Sequence, residues 1–198
     1  MANANKLAGL RPVKNINGSP WNGKVNMYYK AAGLNEAFFV GSLVATIGSA
    51  DASGKYPTIA LAGTDPPMGV VVGFSNTPYI AADVTNLDLE YSLASTAHYV
   101  AVCDDPGVIF EIQQEEGTDM AVTDVGMNAS PITETGNTAT GLSTITIDYS
   151  SLATTSTLSL KVLRLVDKVD NVLGPYAKYE VMINNHQLGQ GLGSLGIG

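Results

Sequence analysis

Charged side chains are scarce in this sequence: 14% of its 198 residues, against roughly 25% in ordinary soluble domains. Those present are unbalanced, 10 Lys and Arg against 18 Asp and Glu, for a net charge of −8 and a pI near 4.5. An acidic chain without a basic run repels phosphate backbones, so nucleic acid is not an expected partner. Cysteine occurs once, at Cys103, which excludes an internal disulfide. It stands in an apolar strand pattern and reads as a small buried hydrophobe. Histidine occurs twice, at His98 and His186, with no His-x-x-x-His or Glu-x-x-His pair, so no metal site and no cofactor are expected. No window approaches 18 uninterrupted apolar residues, so no membrane span is expected. MANANKLAGLRPVK lacks the apolar core of a signal peptide, so none is expected.

Hydrophobic residues make up 45% of the chain, with 21 Gly. KVNMYYK alternates, with Val25, Met27 and Tyr29 on one face and Lys24, Asn26, Tyr28 and Lys30 on the other. Phe38–Ile47, TIALA, Ser143–Tyr149 and Tyr176–Asn184 read as strands, and LDLEYSL as an edge strand. Gly69–Phe74 (GVVVGF) is apolar throughout, the mark of a strand buried on both faces. TTSTLSLKVLRLV puts Leu158, Leu160 and Val162 on one strand face and Leu163 and Leu165 on the other, which requires a bulge; Leu158, Val162, Leu165, Val166 and Val169 also fit a helix stripe, but the β-branched lead-in favours a strand. One short helix is expected in Thr118–Asn128, with Thr118 as its N-cap. The expected fold is all-β, a single antiparallel sandwich or barrel of jelly-roll-like type. It spans residues 24–186, between an N-terminal arm (1–23) and a Gly-rich tail (187–198).

The stretch HYVAVCDDPGVIFEIQQEE carries two adjacent acid pairs, Asp104–Asp105 and Glu115–Glu116. Asp-Asp-Pro-Gly is a turn sequence, and Val108, Phe110 and Ile112 return on one face, so the segment reads as a hairpin whose acids are trim. A catalytic acid pair must face one cleft, about 5–10 Å apart, which neighbours in a turn do not suggest. Two glycine patterns fail as nucleotide motifs. GSADASGK (Gly48–Lys55) is too long for a phosphate loop and precedes Tyr56, not Ser or Thr. GLGSLG (Gly191–Gly196) has no following helix. No catalytic residue is expected, and the chain does not read as an enzyme.

Arg11, Pro12, Trp21, Tyr28 and Tyr29 concentrate residue types that anchor interfaces, including the only Trp. They either cap the chain's own barrel or bind a partner. Several blocks, in order, are similar to the capsid decoration or cement proteins of tailed bacteriophages. These are LRPVKNINGSPWNGKVNMYY, FFVGSLV, GVVVGF, TAHYVAVCDDPGVIFEIQ, TDVGMNA, NTATGLSTITID and YEVMINNHQL. The resemblance implies a β-rich structural protein on the outer surface of a virion, made in the host bacterial cytoplasm. It would bind the major capsid protein as a homo-oligomer, dimer or trimer, with no catalysis. Basic residues often stand in that family where this chain has Ser92 and His98, so charge contacts made there by relatives do not carry over. The competing expectation is a carbohydrate-binding or adhesin-type β-module of a virion, with Trp21, Tyr28 and Tyr29 stacking on sugar rings.

Overall fold

The computed structural model describes residues 3–63, 65–78, 90–117, 119–132, 136–189 and 196. In chain order its strands are β1 (Arg11–Asn15), β2 (Asn26–Lys30), β3 (Phe38–Phe39), β4 (Leu43–Ala50), β5 (Pro57–Leu61), β6 (Gly69–Ser75) and β7 (Tyr91–Ser92). They continue with β8 (His98–Cys103), β9 (Val108–Gln113), β10 (Asn128–Ala129), β11 (Pro131–Ile132), β12 (Thr146–Ile147), β13 (Leu160–Leu165) and β14 (Lys178–Ile183). The fold is all-β, as its sequence pattern indicates. A barrel closes in the order β2-β5-β4-β6-β8, and a five-stranded antiparallel sheet runs β1-β9-β14-β13-β10.

Barrel and sheet share a wall. Val44, Val71, Val100 and Val102 turn into the barrel with Tyr28, Phe38, Ile59 and Met68. Leu43, Ala45, Val70 and Cys103, their neighbours on the same strands, turn outward onto Phe110, Ile112, Val162, Tyr179 and Val181 of the sheet. Because side chains alternate across a strand, a strand between two cores must be apolar at every position. That accounts for the unbroken runs of β6 and β8. Each large side chain removed from water here contributes about 1.5–3 kcal/mol.

The expected bulge in β13 is present: its register with β14 shifts between Val162 and Arg164. The expected strand Phe38–Ile47 is interrupted at Gly41, whose φ is +91°. There the Leu10 amide donates to the Gly41 carbonyl, and a Cβ on Gly41 would lie 2.5 Å from the Ala8 carbonyl oxygen. Only glycine lets the N-terminal segment cross so close. The expected helix is reduced to one 3-10 turn, Val122–Asp124, in which Asp124 accepts from the Ala121 amide; Thr118 lies outside the described residues.

The hairpin expectation is overturned. β8 pairs with β2 and β6, whereas β9 pairs with β1 and β14, so Asp104–Gly107 is a corner between barrel and sheet. Each strand is captured by a different neighbour. Asp104 accepts hydrogen bonds from Asn26 and Tyr28 of β2, while the Ile16 amide donates to the Gly107 carbonyl beside β1. The other acid pair is structural too: Glu115 accepts from the Tyr149 amide and Glu116 from the Tyr176 hydroxyl.

Candidate functional site

The outward face of the five-stranded sheet carries a charged row running straight across four strands. Arg11 stands opposite Glu111, Glu111 opposite Glu180, and Glu180 opposite Arg164. Two acids side by side on one face repel, and both are buried. Cations resolve the conflict. Lys14 and Arg164 reach Glu180 at 2.7 and 2.6 Å, and Lys168 and Lys178 reach Glu111 at 2.6 and 3.6 Å. Burial alone would raise the Glu180 carboxyl, but the hydrogen bonds from Lys14 and Arg164 outweigh it and hold it below its usual range.

Arg11 and Lys6 line a cleft of about 250 Å³ on this face with Lys168, Lys178, Asn171, Tyr176 and one acid, Asp170, and neither makes an ion pair among the described residues. Six of the chain's 10 Lys and Arg thus gather around two buried carboxylates, in a protein of net charge −8. The result is a local cationic surface on an acidic molecule.

The β13–β14 loop borders this surface and exposes apolar tips. Val169 is 92% exposed, with Val172 and Leu173 also exposed. The loop is nevertheless held from within. Buried Asn171 donates to the Val166 and Lys178 carbonyls and accepts from the Lys178 amide, and Asn3 bonds both the amide and the carbonyl of Val172. Tyr176 takes a φ of +60°, rare for a bulky residue, with its hydroxyl fixed on Glu116. The loop thus holds two valines and a leucine uncovered on a braced backbone.

The anchoring residues expected from sequence do not converge. Arg11 is exposed on the charged row and Pro12 is half-buried beside it in β1, so residues 1–23 supply an edge strand as well as a terminal segment. Tyr28 is buried in the barrel wall. Its hydroxyl donates to Asp104 at 2.6 Å and is pushed above the usual phenol range, by burial first and then by that hydrogen bond. Tyr29 is half-buried and packs on Tyr99, ring centroids 5.5 Å apart. Trp21 is half-buried against the larger core and lines a separate cleft of about 410 Å³.

Several groups with catalytic chemistry are engaged within the fold. The Ser92 hydroxyl lies 2.7 Å from His98 Nδ1, but both are buried and the cross-strand partner of His98 is Lys30, not a carboxylate. The GSADASGK loop turns its own amides, Lys55 and Tyr56, onto the Asp51 carboxylate, filling the position a phosphate would need. GLGSLG lies outside the described residues except Gly196. Cys103 is buried, its thiol pushed up to about 11 by desolvation. Among the described residues no group of three His, Cys, Asp or Glu could hold a metal ion, and no helix is long and apolar enough to cross a membrane.

Sequence reasoning passed over Glu111, Glu180 and Lys168 because charges scattered over four strands look unrelated until register aligns them. Against protein-family models, curated proteins and solved structures alike, the chain finds no match.

Proposed function

We propose that this protein is a structural capsid decoration protein, binding the outer surface of an assembled phage head and bridging neighbouring major capsid proteins. The observation that carries the reading is the pairing of a cationic sheet face with the exposed Val169, Val172 and Leu173 tips on a strongly acidic chain. Charge of one sign on one side would orient such a molecule towards a shell surface of opposite charge, and the apolar tips would supply contact area once it has docked. The ordered sequence blocks similar to cement proteins point the same way. Binding across seams stabilises the assembled shell and not its separated subunits, which shifts assembly by linkage. Self-association as a dimer or trimer would multiply weak contacts through effective concentration.

The deciding experiment is cosedimentation of the purified protein with assembled heads, with heads lacking it, and with free capsid subunits. Saturable binding to assembled heads, weakened by added salt and accompanied by a higher head-disruption temperature, is the expected result. Equal binding to free subunits, or none to any head form, overturns the reading.

A further inference from the structure

The second cleft has a chemistry unlike the docking face and shares no lining residue with it. It lies between the end of β1 and the Asp104–Gly107 corner and holds about 410 Å³, within the roughly 300–1,000 Å³ of small-molecule sites. Its polar side chains are Asn15, Asn17, Asn22, Lys24 and Asp105, and its apolar ones are Ile16, Trp21 and Val108.

The polar groups are aimed by the fold. Asn17 Oδ1 accepts from the amide and hydroxyl of Ser19, and Asn22 Oδ1 accepts from the Lys24 amide. The Asn17 and Asn22 carboxamides therefore spend their oxygens on their own loop and keep their NH2 groups as donors, whereas Asn15 spends its NH2 on the Ser19 hydroxyl. Asp105 uses Oδ1 on the Gly107 amide, leaving Oδ2 as an acceptor. Lys24 makes no ion pair among the described residues and contributes a further donor. The loop is also braced: Asn15 accepts from Gly18, the Ile16 amide bonds Gly107, and the Trp21 amide bonds Val13. The indole Nε1 is buried beside Cys103 with no oxygen or nitrogen acceptor, so the ring is held edge-inward against the core.

We propose that this cleft binds a neutral saccharide. Lys24 and Asp105 offset one another, which selects against phosphates and free cations. Several donors and a carboxylate oxygen set close together suit hydroxyl groups, each of which donates and accepts. The indole and the exposed Ile16 side chain offer apolar surface to the C–H face of a sugar ring. A deep apolar well for a lipid or aromatic ligand is missing from this lining. The inference goes beyond capsid binding, and its test is independent of phage heads.

Trp21 is the only tryptophan beside 9 Tyr, so fluorescence excited at the red edge of the indole band, where tyrosine does not absorb, reports this cleft. The full-length protein is titrated with glucose, galactose, mannose, N-acetylglucosamine and their β-linked disaccharides up to ~50 mM, well above the ~1 mM scale of a weak site. At least one should shift the emission saturably. Asp105→Asn, which keeps the Oδ1 bond to Gly107, and Lys24→Met, which keeps the aliphatic stem, should each weaken that sugar at least about tenfold while leaving the melting temperature unchanged. No response to any sugar overturns the proposal. So does a response undiminished in both variants.

Discussion

Lys30 and His98 face each other as cross-strand partners at one end of the barrel. The Lys30 ammonium donates to the Leu93 and Thr96 carbonyls at 2.7 and 2.9 Å and lies over the Phe38 ring. Burial pulls the Lys30 amine below its ordinary value, and Glu36 opposes that. His98 is lowered from 6.5 by burial first and by Lys30 second. The buried imidazole is therefore neutral and rests on Ser92.

Acid should loosen the barrel. A histidine whose folded pKa is depressed binds its proton more readily when unfolded, so stability falls as pH drops below about 6.5 towards the folded value. The slope is at most ~1.4 kcal/mol per pH unit for each imidazole. His186, lowered chiefly by burial, acts in the same direction. Urea midpoints measured from pH 7.5 to pH 5 should decline, and His98→Asn should flatten the decline. An unchanged slope in both His98→Asn and His186→Asn refutes the assignment.

Replacing Glu180 by Gln removes the shared partner of Lys14 and Arg164. Because Arg164 is largely exposed, the loss is set near 1–2 kcal/mol. The carboxyl is held low in the folded state, so its contribution is present above the ordinary value of 4.5 and fades as pH falls through the depressed one. The gap between wild type and Glu180→Gln in denaturant titrations should therefore narrow in acid.

Gly41→Ala should cost at least ~2 kcal/mol, from a left-handed backbone and a Cβ driven into the Ala8 carbonyl. Gly33→Ala has open space and no positive φ, and should stay within about 0.5 kcal/mol. Thermal melts of the two variants make the comparison.

Val169→Asp places a charge on the most exposed large apolar side chain among the described residues. It should change stability by less than about 0.5 kcal/mol yet reduce cosedimentation with heads several-fold. Unaltered head binding would remove this loop from the docking surface.

The fold was largely legible where periodicity alone decides. The runs of β6 and β8, apolar at every position, announced strands with a core on each side, and Leu163 announced its bulge. The Asp104–Gly107 stretch was legible as a turn but not as a corner. Turn chemistry fixes chain reversal, whereas the partner of each strand depends on Asn26, Tyr28 and Ile16, all far upstream in the chain. Tyr28 illustrates the same limit. Its residue type suits an interface, but the Asp104 carboxylate gives its hydroxyl a buried acceptor. The charged row was invisible because cross-strand neighbours are set by register, which no local window contains.

The Asn3 side chain bonds Val172 across a sequence separation of 169, and β1 pairs with the distant β9. A ribosome must therefore release most of the polypeptide before the sheet can close on its first strand. Until then the valine-rich β6 and β8 lack the layer that covers them, and such long-range pairing is slow. Expression yield should thus depend on keeping the nascent chain from aggregating, and a cooler culture should help more than any stabilising change in the finished barrel.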